Sequence, residues 1–181
     1  MIRRVLGAAV VIALAACNPK SPNGGVSAPP SLSPGVTPSP VALRISGHGT
    51  QKRPVRFVET KENRKLFEIL TRSFQSKGAA GTAVLLYNNV NINFFGKDGS
   101  VLSATAPHAT IDQRTNLVVM TGGVHAHNSA GMTLVCDTLT YDRSSEMVHG
   151  DGNVVITNPN GFRGTGNHFD SDTSLTNATM Q

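Results

Sequence analysis

The sequence predicts an all-β domain of repeated hairpins, an up-and-down antiparallel meander. Three observations carry this prediction. Val, Leu, Thr, Asn and Gly dominate the second half, while charged residues make up 15% and aromatics 5% of the 181-residue chain. That balance suits strands and disfavours a helical bundle or a large nucleotide-binding α/β enzyme. An apolar residue followed by Asp recurs at Ile111-Asp112, Tyr141-Asp142 and Phe169-Asp170, a period of about thirty residues, or two strands per unit. Between turns, apolar and polar residues alternate, which places one set on a single face.

Taken in order, Met1-Ile2-Arg3-Arg4 is a short basic segment and Val5 to Ala13 an apolar one, too short to cross a bilayer. Leu14-Ala15-Ala16-Cys17 follows, with small residues where a signal peptidase cuts. This ending resembles the bacterial lipobox, which implies that residues 1–16 are a removable lipoprotein signal and that Cys17 becomes the lipid-bearing first residue. The second cysteine, Cys136, then has no intrachain partner and is expected to be a small buried apolar residue, so no disulfide framework holds the fold.

Residues 17–42 read as the lipidated Cys and a tether. Seven of the ten prolines lie between Asn18 and Val41, with Lys20 the one charge, a composition that buries no apolar surface and forms a solvated spacer. The domain proper is expected over 43–181. Its charge is uneven: residues 41–80 hold nine Lys or Arg against three Glu, and residues 81–181 hold four against eight Asp or Glu. The basic part adjoins the tether, where it suits anionic headgroups or a plain solvated face. No helix-turn-helix or zinc-finger spacing points to nucleic acid.

The turns are legible individually. Gly99, Gly131 and Gly161 occupy equivalent slots and supply positive φ, and Asn160-Gly161 is a two-residue hairpin signal. At the opposite end Asp112, Asp142 and Asp170 are expected to accept backbone N–H groups across short loops. Between them Val90, Ile92 and Phe94 share a parity, as do Val118, Met120, Val124 and Ala126, and Val148, Val154 and Ile156. Asn89, Asn91, His125, His127, Asn153 and Thr157 point the other way. Arg53–Gln75 is read as an earlier unit of two strands, although Leu66, Phe67, Leu70 and Phe74 also fit an amphipathic helix.

Leu102-Ser103-Ala104, Ile111-Asp112, Gly122-x-Val124, Leu139-x-Tyr141-Asp142 and Gly152-x-Val154 together resemble the lipopolysaccharide-transport bridge family, the OstA-like fold of periplasmic LptC and LptA proteins, over about residues 52–181. The resemblance implies a curved, incompletely closed antiparallel β-jellyroll ("taco") of these hairpins, whose inner face holds the acyl chains of lipid A. Its partners would be lipopolysaccharide, an inner-membrane ABC transporter complex, and a periplasmic LptA-like protein joined by edge-strand pairing. On this sequence the implied trough comprises Val90, Ile92, Phe94, Leu102, Val118, Val124, Leu134, Leu139, Tyr141, Val154, Ile156 and Phe169. The strand-like run Ser174 to Met180 is expected to leave an edge for a partner. The LptC branch usually begins with a membrane helix, which a lipobox and tether replace here. The anchor implies the periplasm; the family role favours the inner membrane, yet Asn18 lacks the Asp of inner-membrane retention, so the outer membrane stays open.

Chemistry finds little support. His125-Ala126-His127 resembles the His-x-His of metal-binding cupins, but no Glu follows at the required spacing, since Ala130, Gly131 and Met132 stand there. No Gly-x-Ser-x-Gly elbow or carboxylate cluster outside the turns is present, and Gly164-Thr165-Gly166 is too short for a phosphate loop. The expectation is a non-enzyme without cofactor. A lipid carrier leads; a surface lipoprotein with a filled core is the alternative, and a cupin-like metal enzyme trails.

Overall fold

A computed structural model describes residues 44–79 and 82–181. The signal and the tether, with Cys17, lie outside the described residues. The strands are β1 (Ser46–His48), β2 (Val55–Lys61), β3 (Arg64–Lys77), β4 (Val84–Phe95), β5 (Val101–Asp112), β6 (Leu117–Asn128), β7 (Thr133–Asp142), β8 (Met147–Thr157), β9 (Arg163–Ser171) and β10 (Thr179–Met180). All ten belong to one antiparallel sheet in which β3 to β10 follow chain order. β1 and β2 share the other side of β3, β1 opposite residues 73–75 and β2 opposite residues 64–71. Among the described residues no ladder joins that side to β9 or β10, so the sheet is not closed into a barrel.

The segment that fitted either a helix or strands is β2 and β3. Glu62 and Asn63, with φ of 52° and 62°, join them in the tight turn that left-handed residues permit. The helix-like spacing has a local cause. The pairing shifts between Glu59 and Thr60, so Leu66 falls between the paired Lys65 and Phe67. Both Leu66 and Phe67 consequently turn inward and are buried, which breaks strict alternation.

Gly99, Gly131 and Gly161 have φ of 84°, 83° and 87°, as their slots required. The loops are longer than the two-residue hairpin expected at Asn160-Gly161. Asn158 N donates to Phe162 O over 3.0 Å and Gly161 N to Asn158 O over 3.1 Å, a three-residue loop with its last residue left-handed. Gly96–Ser100 and Asn128–Met132 close in the same way. In two of these loops a local carboxamide selects the longer form: Asn128 and Asn158 Oδ1 each accept two backbone N–H groups across the turn.

At the opposite end Asp112 Oδ1 accepts from Arg114 N and Asp142 Oδ1 from Ser144 N, at 2.8 and 2.7 Å. These bonds hold both carboxyls below their ordinary range. Asp170 departs from the expectation. The strand β9 runs on to Ser171, so Asp170 lies opposite His149 of β8 and beside His168 of its own strand, and Asp172 takes the turn position, accepting from Ser174 N at 2.9 Å.

A feature the repeat hid is a row of bulges. Register shifts interrupt four successive pairings, at Thr105/His108, Thr121/Val124, Val135/Thr138 and Asp151/Val154. His108, Thr121, Thr138, Asp151 and His168 are cross-strand partners in sequence, so all four shifts fall at one height. The Gly-x-Val motifs are these bulges: Gly122, Gly123, Gly152 and Asn153 have φ of 95°, 88°, 75° and 48°. Each shift sets one extra residue of β6 or β8 against its neighbour; alternation runs unbroken through β6, so Val118 and Val124 share a face, while β7 changes parity between Cys136 and Leu139. A Cβ on Gly152 would lie 2.5 Å from Asp137 Oδ2 besides needing positive φ. Gly152→Val is expected to lower unfolding free energy by about 1–3 kcal/mol, measured by urea titration.

Candidate functional site

The twelve residues assigned to a trough all point to one face. Val90, Ile92 and Phe94 come from β4, Leu102 from β5, Val118 and Val124 from β6, Leu134, Leu139 and Tyr141 from β7, Val154 and Ile156 from β8, and Phe169 from β9. Each is between 0 and 4% exposed, and they form one cluster. Sequence reasoning missed Ile69 and Tyr87, buried in the same cluster, and the roles of Leu66 and Phe67. Bulges obscured the alternation that would have marked them.

One face of a single sheet becomes this dry only by rolling over itself. The rings of Phe94 and Tyr141, from β4 and β7, lie 4.5 Å apart between centroids. The roll is diagonal, because ends on opposite sides of the meander meet. Ser100 in the β4–β5 loop lies 2.8 Å from Thr173 beyond β9, hydroxyl to hydroxyl. Arg64, at the start of β3, donates from Nη2 to Glu146 Oε2 in the β7–β8 turn and from Nη1 to Phe95 O, each over 2.7 Å. Arg143 Nη1 reaches both Glu59 oxygens, at 2.9 and 3.1 Å, and its Nη2 binds Asn116 Oδ1 at 3.0 Å.

Glu146 is the centre of this polar corner. The sequence presents it as one residue of a polar turn, yet its side chain is 6% exposed and its φ is 63°. Lys97 and Lys61 approach its Oε1 at 3.6 and 3.9 Å. That oxygen has no hydrogen-bond donor among the described residues. Beside it is a cavity of about 330 Å³ lined by Gly96, Lys97, Met147 and residues 172–174 among others. Nothing in a lone Glu predicts burial; the signal lay in one arginine and two lysines brought from two other segments, the β2–β3 hairpin and the β4–β5 loop.

The other candidates sit elsewhere. His125 and His127 are exposed on the outer face of β6, beside Thr105 and Val135 and beside Ser103 and Thr133. No group of three His, Cys, Asp or Glu among the described residues is placed to hold a metal ion. Cys136 is buried and free, and burial pushes its thiol up to about 12, so it is a protonated apolar side chain at neutral pH. Burial also raises the Tyr87 and Tyr141 hydroxyls. No helix of the described residues is long and apolar enough to cross a membrane.

On the outer face β8 and β9 are joined by alternating histidines and carboxylates. His149 Nδ1 pairs with Asp170 Oδ1, His168 Nε2 lies 3.2 Å from Asp170 Oδ2, and His168 Nδ1 lies 2.7 Å from Asp151 Oδ1. The hydrogen bond to Asp151, followed by the charge of Asp170, raises the His168 pKa against partial desolvation. A raised folded pKa stabilises below the unfolded value of about 6.5, and that contribution disappears as pH rises through the folded pKa. The urea midpoint is expected to fall across that window, and His168→Gln to flatten the fall.

An unclosed sheet rolled around one continuous apolar face, latched by polar contacts at its ends, defines a β-jellyroll of the open kind. The particular family follows from sequence: residues 77–179, more than half of the chain, match the family described as lipopolysaccharide-assembly, LptC-related, and the chain belongs to it. That family serves lipopolysaccharide assembly and transport and is generally non-enzymatic. No curated protein matches the chain.

Proposed function

We propose that this chain is a membrane-anchored periplasmic carrier in lipopolysaccharide export. It holds lipid A acyl chains against the inner face of the rolled sheet and passes them to the next bridge protein. The observation that carries this reading is the convergence of all twelve inward residues into one apolar cluster on a sheet that does not close. Each methylene withdrawn from water contributes about 0.8 kcal/mol, so acyl chains bind such a face without polar contacts. Sugars and phosphates stay in solvent along the seam. Upstream, lipopolysaccharide would arrive from an inner-membrane ABC transporter complex; downstream, an LptA-like protein would pair with a free edge. The anchor would be a lipid on Cys17, with residues 18–42 as spacer and the inner membrane favoured by the pathway.

β9 is the edge that suits the downstream partner. Its residues 163–166 pair with β8, whereas β10 pairs only with Phe169 and Asp170. Met180 lies over the strip left bare by Gly164 and Gly166, where added Cβ atoms would come within 3.2 and 2.7 Å of its side chain. A partner strand would have to displace this contact.

A second reading draws on the same burial. Side chains 0–4% exposed already fill the interior, as a scaffold lipoprotein with a packed core requires. The two readings separate by photo-crosslinking. The full chain would carry a crosslinking residue at Val124 or Ile156, with His125 on the outer face as control, in the presence of lipopolysaccharide. Adducts at the inward positions alone are expected of a carrier. Folded protein with no adduct at either inward position would leave the packed scaffold.

A further inference from the structure

Residues 44–77 contain nine Lys or Arg and three Glu, and the structure sorts them into two groups. Arg56 and Lys65 pair with Glu68, and Lys61 and Arg64 with Glu146. Arg44, Lys52, Arg53, Arg72 and Lys77 are all exposed and form no ion pair among the described residues. The preceding 43 residues contain no Asp or Glu, so they cannot neutralise these five.

The five unpaired cations lie along one stretch of the sheet. Ser76 N donates to Ile45 O over 2.7 Å, which sets Arg44 beside Lys77. Gly49 N donates to Arg72 O over 2.7 Å, and Thr50 and Arg53 close a tight turn through mutual backbone bonds of 2.9 and 3.2 Å. Lys52 and Arg53 are thereby held next to Arg72. Within this stretch Ile45 is 48% exposed, beside a groove of about 340 Å³ lined by Arg44, Ile45, Ser46, Gln75, Ser76 and Lys77.

We propose that this β1 edge docks on an anionic lipid surface. It assigns which part of the domain faces the bilayer, and it rests on the reading that the chain is held at a membrane. Long basic side chains reach headgroup phosphates while their stems lie along the interface, and an exposed isoleucine among them suits the headgroup boundary. A broad row of like charges on a sheet edge fits a planar, mobile counter-charge. The location agrees, because this edge is where the chain emerges from the segment whose sequence reads as a lipid-bearing spacer.

The test places a genetically encoded fluorescent amino acid at Gln75 of the full chain, or at Asn160 in the β8–β9 loop as control. The protein is incorporated into vesicles of phosphatidylcholine, with or without phosphatidylglycerol, carrying a headgroup nitroxide quencher. Quenching at Gln75 is expected to be at least about tenfold stronger with the anionic lipid. It should vanish in about 1 M salt, where the Debye length falls to about 3 Å. Replacing Arg53, Arg72 and Lys77 together by Gln should abolish it with the thermal midpoint retained, while Asn160 stays unquenched throughout. Equal quenching in neutral vesicles, persistence after the triple substitution, or no quenching at Gln75 in either vesicle would overturn the proposal, the last pointing to an acidic protein partner. Lipopolysaccharide adducts at Val124 are scored separately, so a lost cargo reading and a lost docking surface are told apart.

Discussion

Phe94→Ala is expected to destabilise the domain by about 3–5 kcal/mol, the range for truncating a fully buried phenylalanine. Phe94 is completely buried, and its ring meets Phe67 on the adjacent strand and Tyr141 three strands away. Its loss therefore removes local packing and part of the contact that keeps the roll closed. Urea denaturation should show the reduced midpoint. Phe94→Leu, which retains most of the volume, should cost clearly less. A Phe94→Ala variant as stable as the parent would mean that the β4 and β7 faces do not touch, and the diagonal roll would have to be redrawn.

The second large effect is expected at Glu146. Removing this carboxylate leaves Arg64 bound only to backbone carbonyls and strips two lysines of their nearest counter-charge. Breaking a buried ion pair costs about 3–5 kcal/mol, but these cations can recover water, so about 2–3 kcal/mol is the expectation for Glu146→Ala. Arg64→Ala in the same background should cost less than it does alone, because the two residues share one interaction. The pair also bears on cargo. If closure at this corner limits access to the apolar face, Glu146→Ala should increase lipopolysaccharide adducts at Val124 despite its lower stability. Additive losses in the double variant would show that the ion pair contributes nothing beyond its separate members.

The two strands per repeat, their antiparallel order and the inward set were legible because turn signals recur and burial imposes alternation along each stretch of strand. Val118, Met120, Val124 and Ala126 could be assigned to one face without knowing any partner. The loops were partly legible. Gly161 demanded positive φ, but the loop length depended on the Asn158 carboxamide, which competes for backbone N–H groups in a way that composition does not reveal. Asp170 resembled Asp112 and Asp142 in context, and only the extension of β9 by one residue moved its carboxylate from the turn to the sheet. The corner around Glu146 was invisible for a different reason. Its partners lie 82 residues away at Arg64 and 84 residues apart at Glu59 and Arg143, and no repeat constrains such distances. The proposed lipid anchor rests on the sequence Leu14 to Cys17 alone, because a processing motif is local by nature.

The aligned bulges give the sheet one compliant direction. On either side of the line from His108 to His168 the ladders are regular, so each side behaves as a stiff panel. Across the line, left-handed residues such as Gly122 and Gly123 tolerate changes of backbone angle that β-branched strand residues resist. The polar corner at Glu146 ties the two panels together, because it joins the β7–β8 turn to the β2–β3 hairpin and the β4–β5 loop. A sheet hinged in this way bends at the unpaired residues of the bulges and leaves the regular ladders on either side intact.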